Sequence, residues 1–390
     1  MKTNTSVLLI AVAMSNSIHT VADALSTAAP KQQQQYNNWL VVDFDGTCTV
    51  RDTITMLPRL AALAQSTTSD GALSPDASID FQSRLSIFNT LEEEYFRRYT
   101  EVLRLDSEAA ATTTTDSFSK ESDDENSDDD NLAQLVASID KLDNVSTEIT
   151  HEVSKWRVLG GIGGCTHTEI SKLIDLYKEK QTELEPSKAG DGKETNYNEL
   201  LESLALQPNC LSVLQNCATT QNYGIGVLSI NWCPGLIESI LVDPLCHAGS
   251  NDNGNESLSF PRFEDVPIWS NSLDEEGVIA LPFPGAISKK EQILKLQQQQ
   301  QENDDTTRNR VVYVGDSSTD LLAIIQADVG ILLGGSKSAI GLASKYGVSV
   351  KPLRDYDYSD EDGASVVWTA DDWDEIGTFF DKTQLSSTTR

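Results

Sequence analysis

The sequence predicts an α/β fold in which a parallel β-sheet is flanked by helices and interrupted by a long helical insertion. Short apolar runs alternate with helical segments at βαβ spacing from residue 224 to about 352. This alternation favours a parallel sheet covered on both faces. One further apolar run, WLVVD at 39–43, has the same character but lies about 180 residues earlier. We expect it to join the sheet, so the residues between would form an inserted domain.

The elements of the sheet region are marked by apolar runs and turn residues. The runs that predict strands are GIGVLSI (224–230), RVVYVGD (310–316), VGILLG (329–334) and VSVKPL (348–353). The runs that predict helices are PGLIESILV (234–242), KKEQIL (289–294), TDLLAIIQA (319–327) and KSAIGLASKYG (337–347). Pro234 suits the first turn of its helix, where no backbone N–H donor is needed.

The insertion is predicted to be mostly helical. Apolar residues recur every three or four positions from about 53 to 105, and helical signals return near 132–157 and 166–180. Between them, residues 106–131 are rich in Thr, Ser and Asp and include the acidic run SDDENSDDD at 122–130. We interpret 106–131 as a disordered acidic insertion. It lacks the Gly and terminal Glu of an EF-hand calcium loop.

Charge and cysteine usage exclude several classes of function. The chain of 390 residues has a formal net charge of −31 and a pI near 4.3. This argues against nucleic acid as a partner, because phosphate backbones are bound by Lys and Arg. The six cysteines include no CxxC pair, so neither a zinc site nor a disulfide framework is indicated. The mature chain contains no segment predicted to span a membrane.

The N-terminus has the pattern of a targeting peptide. Lys2 precedes the apolar run VLLIAVAM (7–14), and a small-x-small site, ADA, follows at 22–24. We expect residues 1–24 to be a signal or targeting peptide and residues 25–37 a linker. The expected location is the secretory pathway or an organelle reached through it, such as a plastid. A cytoplasmic or mitochondrial location is the alternative if this segment is not a signal.

Three predicted strands end in polar residues. Asp43 and Asp45 follow the first strand, Ser229 ends the second, and Asp316 and Asp320 follow the strand near 310. In open parallel sheets, ligands bind beyond the carboxyl ends of the strands. Four carboxylates at one edge repel each other unless a cation lies among them. Oxygen ligands without His or Cys suit Mg²⁺, which in proteins commonly shares its ligand shell with a phosphate.

These residues resemble the motifs of a known superfamily. DFDGT at 43–47, the strand ending in Ser229, Lys290 near a helix start and GDSSTD at 315–320 occur in the order of the four motifs of haloacid dehalogenase-like (HAD) phosphohydrolases. The resemblance implies a Rossmann-like catalytic core with an inserted helical cap of the C1 type. The expected core is discontinuous and comprises 38–50 and 208–385, with the cap at 51–207.

The resemblance also assigns catalytic and metal-binding roles. Asp43 would be the nucleophile that forms an aspartyl-phosphate. Asp45 would protonate the leaving oxygen and then act as base for the attacking water. Mg²⁺ would be bound by the Asp43 carboxylate, the main-chain carbonyl of Asp45 and Asp316. Asp320 completes the expected metal set, in which it orients Asp316, a metal-bound water or the lysine.

A second group of residues is expected to contact the phosphate. Its members are Gly46, Thr47, Ser229, Asn231 and Lys290. Lys290 would neutralise charge on the transferring group and is therefore also counted as catalytic. We prefer Lys290 to its neighbour Lys289 because Ile293 and Leu294 would then lie three and four residues further on, facing the core. Lys289 remains the alternative.

A narrower resemblance concerns the substrate. An acid at Asp45 is typical of phosphate transfer, since halide leaves without a proton. The following segments resemble the HAD domain of plant-type thiamine monophosphate phosphatases: DFDGTCTVRDT, VLGGI, LALQPNCLSVLQNC, LSINWCPGLIESI, ISKKEQI and YVGDSSTDLLAIIQADVGIL. The expected partner is a small phosphorylated metabolite, thiamine monophosphate first. Alternative substrates are a nucleotide, phosphocholine or phosphoserine. Alternative functions are those of a phosphomutase and of a non-catalytic ligand-binding HAD protein. The oligomeric state stays open.

Overall fold

The computed structural model describes most of the chain from Tyr36 onward. The described residues are 36, 38–66, 77–113, 127–184, 202–247, 265–299, 310–357 and 366–387. The expected targeting peptide at 1–24 and nearly all of the expected linker lie outside this range. No helix within the described residues is long and apolar enough to cross a bilayer.

The main sheet has seven strands and is parallel throughout, which confirms the predicted α/β, Rossmann-like class. Its strands are β1 (Asn38–Val42), β2 (Gly224–Leu228), β3 (Ile268–Trp269), β6 (Arg310–Gly315), β7 (Val329–Leu333), β8 (Ser349–Pro352) and β9 (Val366–Ala370), in the spatial order β3-β2-β1-β6-β7-β9-β8. A separate antiparallel pair joins β4 (Ser272–Leu273) to β5 (Ile279–Ala280). The first strand therefore lies next to β2 despite the long insertion between them.

Both faces of the sheet are covered by helices. On β1, Leu40 and Val42 belong to one buried apolar cluster, and Trp39 and Val41 belong to another. Successive side chains of a strand point to opposite faces, so the two clusters mark the two faces of the sheet. The helices after β2 are α6 (Pro234–Ile237) and α7 (Asp243–His247), joined by a π-helical turn; later helices are α8 (Ala286–Gln298), α9 (Leu321–Gln326), α10 (Lys337–Lys345) and α11 (Trp373–Ser387).

The insertion between β1 and β2 is helical, as predicted. After a short 3-10 turn it comprises α1 (Leu57–Ser66), α2 (Ala77–Thr113), α3 (Ser127–Lys155), α4 (His167–Leu184) and α5 (Cys210–Thr219). Arg98 of α2 bonds Glu148 of α3. Asp106, which comes later on α2, bonds Ser138, which comes earlier on α3. The two long helices therefore pack antiparallel. We call them the α2–α3 hairpin.

Two expectations about the elements need correction. The interpretation of 106–131 as disordered is wrong at both ends, because α2 continues to Thr113 and α3 begins at Ser127; residues 114–126 lie outside the described residues. Strand β9, which the sequence analysis did not identify, inserts between β7 and β8. Its VVWTA sequence is β-branched and aromatic and carried the signal for a strand.

Asp106 ties the far end of the α2–α3 hairpin to the sheet domain. Its Oδ2 atom accepts hydrogen bonds from Lys345 Nζ at 2.7 Å, from Tyr346 Oη at 2.8 Å and from the Ser138 hydroxyl. Asp106 as a whole residue is only 8% exposed. Burial alone would raise the pKa of Asp106, but the hydrogen bonds from Lys345, Ser138 and Tyr346 hold that pKa well below its usual range. The folded state therefore strongly favours the ionised carboxylate.

We expect Asp106→Asn to lower the free energy of unfolding at pH 7 by about 2 kcal/mol, since it removes charge-assisted hydrogen bonds from a buried site. An acid whose pKa is depressed on folding contributes stability above its unfolded pKa of about 4, and that contribution is lost as the pH falls through the folded pKa. The gap between wild type and variant should therefore shrink as urea titrations move from pH 6 to pH 3.

Glu148→Gln is the matched control. It removes an exposed carboxylate on α3 that pairs with Arg98 on α2. Its effect should stay below about 0.5 kcal/mol. A gap between wild type and Asp106→Asn that is constant with pH would contradict the role of the Asp106 charge.

Candidate active site

Three polar strand ends meet at one edge of the sheet. Asp43 follows β1 and donates its backbone N–H to Val314 of β6, at 2.9 Å. Asp316 comes directly after β6, and Ser229 directly after β2. Since β2 and β6 flank β1, these side chains lie side by side at the carboxyl edge of the sheet. The sequence analysis expected them at this edge. This is the edge at which ligands bind in sheets of this kind.

Lys289 joins two of the acids. Its Nζ atom donates to Asp43 Oδ1 at 2.8 Å and to Asp320 Oδ1 at 2.6 Å, and the lysine is completely buried. Burial opposes the charged ammonium, but the two carboxylates outweigh it and raise the pKa of Lys289. Burial raises the pKa of Asp43, and the Lys289 charge opposes that shift. The lysine is thus the fixed positive charge of the site.

The preference for Lys290 as the site lysine is therefore corrected: Lys289 occupies the site, and Lys290 is half-buried on the neighbouring face of α8. The buried positions of that helix are Ala286, Lys289, Gln292, Ile293, Leu296 and Gln297. They repeat at three- and four-residue spacing from Lys289, whereas Leu294, on which the choice of Lys290 depended, is only half-buried.

Asp320 organises the loop that follows β6. Its Oδ1 accepts from Lys289 and from Tyr313 Oη at 2.7 Å, while Oδ2 accepts from the backbone N–H groups of Asp316 and Ser317 and from the Ser317 hydroxyl. Burial alone would raise the pKa of Asp320, but the charge of Lys289 and these hydrogen bonds lower it. Asp320 is fully buried and serves as an ionised anchor for Asp316 and Lys289.

Asp316 is placed by the turn that follows β1. Thr47 Oγ1 donates to Asp316 Oδ1 at 3.0 Å. Gly46 has φ +73°, and a Cβ added there would lie 2.5 Å from Asp316 Oδ2. Only glycine satisfies both constraints without strain. Gly46 and Thr47 were expected to contact phosphate. In the structure Thr47 bonds the Asp316 carboxylate, and Gly46 faces it.

The residues present fit a divalent cation. Carboxylate oxygens of Asp43, Asp316 and Asp320 lie within 4.8 Å of one another. Burial, followed by the charge of Asp320, raises the pKa of Asp316 to about 8, as expected for clustered carboxylates without a counter-ion. Both Asp320 oxygens already accept hydrogen bonds from Lys289, Tyr313 and the 316–317 backbone. Asp43 and Asp316 are therefore the better candidates for direct metal ligands.

Asp45 is turned away from this cluster. Its Oδ1 accepts from the backbone N–H and the hydroxyl of Thr53, at 2.8 and 2.6 Å, and its Oδ2 accepts from Asn231 Nδ2 at 2.8 Å. Burial and the neighbouring charge of Asp52 raise the pKa of Asp45 to about 7. Asp45 was expected to bind the metal through its main-chain carbonyl, and the engagement of its carboxylate with Thr53 and Asn231 is compatible with that role. A fixed carboxyl group with this pKa can give or take a proton near neutral pH.

Ser229 and Asn231 lie beside Asp45. Ser229 is fully buried, and its Oγ accepts the Asn231 backbone N–H at 3.2 Å. The Asn231 side chain was expected to bind phosphate, but it is engaged with Asp45, with the Thr53 hydroxyl at 3.0 Å and with the Cys233 backbone N–H at 2.9 Å. Asn231 therefore orients Asp45. Ser229 lies where it could donate its hydroxyl to a phosphate.

Sequence reasoning missed three residues of this network: Thr53, Tyr313 and Ser317. Thr53 is fully buried and holds Asp45 from eight residues away. Ser317 and Tyr313 hold Asp320. For Tyr313 a signal existed, because a tyrosine in the middle of a buried parallel strand needs a partner for its hydroxyl group.

A cleft of about 140 Å³ lies between the α2–α3 hairpin and the sheet domain. Asp52, next to Thr53, and Ile230, next to Asn231, lie in its wall, which places the cleft beside the residues that hold Asp45. Its aromatic and acidic lining residues are Phe88, Tyr95, Phe96, Trp232, Asp52 and Glu92. The wall of the cleft is therefore both aromatic and acidic.

No family model matches the chain. The chain is 26% identical over 198 residues to the "Bifunctional TH2 protein, mitochondrial" of Arabidopsis thaliana, a match that covers 46% of this chain and 29% of that protein. The chain thus spans less than a third of that relative.

Two solved structures are also similar. One is a HAD family hydrolase from Salmonella enterica serovar Typhi, with a TM-score of 0.32, 11% identity and coverage of 80% of this chain and 67% of that chain. The other is a phospho-aspartyl intermediate analogue of phosphoserine phosphatase, with a TM-score of 0.36, 10% identity and coverage of 88% and 99%. At such TM-scores neither likeness bears on the activity of this chain.

We expect Mg²⁺ to raise the melting temperature of the wild-type protein, because a ligand that binds only the folded state adds about 2.7 kcal/mol at a hundredfold excess over its dissociation constant. Asp316→Asn should lose most of that rise. Asp371→Asn removes an exposed carboxylate near the loop of Asp316. This variant should keep the Mg²⁺-induced rise in melting temperature. Equal Mg²⁺-induced shifts in the three proteins, measured by differential scanning fluorimetry, would mean that Asp316 does not bind the ion.

Proposed function

We propose that this chain is a Mg²⁺-dependent phosphomonoesterase of the HAD superfamily that works through an aspartyl-phosphate. The observation that carries the proposal is the pairing of two carboxylates with different surroundings. Asp43 is fixed by Lys289 in an acid-rich pocket, and Asp45 is fixed by Thr53 and Asn231 on the side of the cleft. A nucleophile and a separate acid are what hydrolysis of a phosphate ester requires.

In the first step, Asp43 would attack phosphorus, and the bond from phosphorus to the ester oxygen would break. Asp45 would donate its proton to the leaving oxygen, which departs as an alcohol. Lys289, held against Asp43, would offset the negative charge of the transferring group, and Ser229 would donate a hydrogen bond to a phosphate oxygen. Mg²⁺ held by Asp43 and Asp316 would neutralise further charge on the phosphoryl oxygens.

In the second step, water would attack phosphorus of the aspartyl-phosphate. Asp45, now ionised, would accept a proton from that water, and the bond from phosphorus to the Asp43 oxygen would break. Inorganic phosphate leaves and both carboxylates return to their starting states. The clamp on Asp45 by Thr53 and Asn231 suits this double role, because the same oxygens must face the ester oxygen and then the water.

The cleft supports a leaving group that is aromatic and positively charged. Phe88, Tyr95 and Trp232 offer ring faces and edges, and Asp52 and Glu92 offer negative charge. Aromatic faces and carboxylates together favour a cationic ring. Thiamine monophosphate, whose thiazolium ring is cationic, fits this chemistry and agrees with the motif resemblance. We therefore propose it as the substrate.

The test is phosphate release by residues 25–390 with Mg²⁺ from thiamine monophosphate, phosphocholine, phosphoserine and a nucleoside monophosphate. We expect the highest kcat/KM for thiamine monophosphate and no turnover by Asp43→Asn. Preference for phosphocholine would keep a cationic leaving group but reject an aromatic one, and preference for another ester would reject the proposed substrate. Transfer to a second sugar hydroxyl without release would indicate a phosphomutase, and binding without any reaction a ligand-binding protein.

The two adjacent lysines give a matched pair of variants. Lys289→Met should lower kcat by about 10²–10³-fold, the usual cost of losing one group that stabilises transition-state charge. Lys290→Met removes the same charge one residue away and should leave kcat within about twofold, as surface changes usually do. Circular dichroism should show both proteins folded. Loss of activity in Lys290→Met alone would overturn the placement of the site lysine.

A further inference from the structure

The residue before the helix that carries Lys289 provides no side-chain cap, although Ser288 of the same helix accepts the Gly285 backbone N–H at 3.3 Å. Gly285 occupies the position before Ala286, the first residue of α8, and the Lys289 backbone N–H donates to the Gly285 carbonyl at 3.2 Å. A cap residue at this position normally accepts an N–H bond from the second or third residue of the helix through its side chain. Glycine cannot do so, and Lys289 is only the fourth residue of the helix.

The missing cap comes from the insertion. Asp143, on α3, accepts the Ile287 backbone N–H through Oδ2 at 3.3 Å, and the N–H of Ala286 also bonds this carboxylate. Ile287 is the second residue of α8, so Asp143 takes the place of a cap side chain. A Cβ added at Gly285 would overlap the Asp143 carboxylate. A side chain at 285 and the carboxylate of Asp143 therefore exclude each other.

We propose that Asp143 is a positioning residue for the catalytic lysine: it caps α8 from outside and holds Lys289 in register with Asp43 and Asp320. This role rests on the proposed phosphatase function. Lys289 makes two short bonds, one to Asp43 after β1 and one to Asp320 at the start of α9, so a small shift of the first turn of α8 would lengthen one of them. Misplacement of a reacting group by about 1 Å can lower a rate about 10²-fold.

The electrostatic surroundings of Asp143 agree with the geometry. Burial raises the pKa of Asp143 to about 6, while the N–H groups of Ala286 and Ile287 and the charge of Lys289 oppose that shift. The N-terminus of a helix is a favourable place for a carboxylate. Asp143 thus binds the end of the helix that carries the only buried ammonium group among the described residues.

The test moves the cap from the insertion to the helix. Asp143→Ala should lower kcat about tenfold or more and leave KM nearly unchanged, at a temperature where the variant is folded. Gly285→Ser alone should also be harmful, because its side chain meets Asp143. In the Asp143→Ala background, Gly285→Ser should instead raise kcat, since the serine can then cap α8 itself. A residue of purely structural importance would not show this reversal of sign.

Asp140→Ala is the control, because Asp140 is exposed about one turn earlier on the same helix; its kcat should match wild type. Amide hydrogen exchange at Ile287 and Lys289 provides a readout independent of activity. It should speed up in Asp143→Ala and slow again in the double variant. Unchanged exchange, or unchanged kcat in a folded Asp143→Ala protein, would overturn the proposal. Wild-type protein that releases no phosphate would overturn only the proposed function, and the exchange data would still decide whether Asp143 caps α8.

Discussion

The ion pair that Lys289 makes with Asp43 and Asp320 is the constraint on which the site depends. One ammonium among three clustered carboxylates, with Asp316 as the third, leaves two negative charges in excess when all are ionised. Buried charge is costly unless it is paired and hydrogen-bonded. A divalent cation would balance the excess. Burial, together with the charges of Asp320 and Asp43, raises the pKa of Asp316, which Lys289 does not bond, to about 8.

The sequence predicted the sheet because its signals are local. Each strand is a short apolar run followed by polar residues, and parallel strands bring those polar ends to one edge. The choice between Lys289 and Lys290 failed for a physical reason. Ile293 and Leu294 are adjacent apolar residues on α8, so the sequence allows two helix phases about 100° apart. Only the full buried face, which includes Gln292 and Gln297, selects Lys289.

The surroundings of Asp45 could not be predicted, because they depend on pairings over long distances in sequence. Asn231 reaches Asp45 across 186 residues, and Thr53 approaches from the turn before α1. An asparagine just after a strand-end serine indicated phosphate binding equally well. The tertiary fold brings an amide donor and a hydroxyl donor to one carboxylate, so in the proposed function the phosphate contacts fall to Lys289 and Ser229.

The α2–α3 hairpin serves three purposes along its length, and these limit how it can move. Near Phe88 and Tyr95 it walls the cleft, at Asp143 it meets the helix of Lys289, and at Asp106 it is bonded to Lys345 and Tyr346. Lifting the hairpin as a rigid lid would break the Asp106 and Asp143 bonds together. Exposing Asp106 alone would sacrifice a buried charged network. The hairpin is therefore held against the sheet domain at two separate points, Asp106 and Asp143.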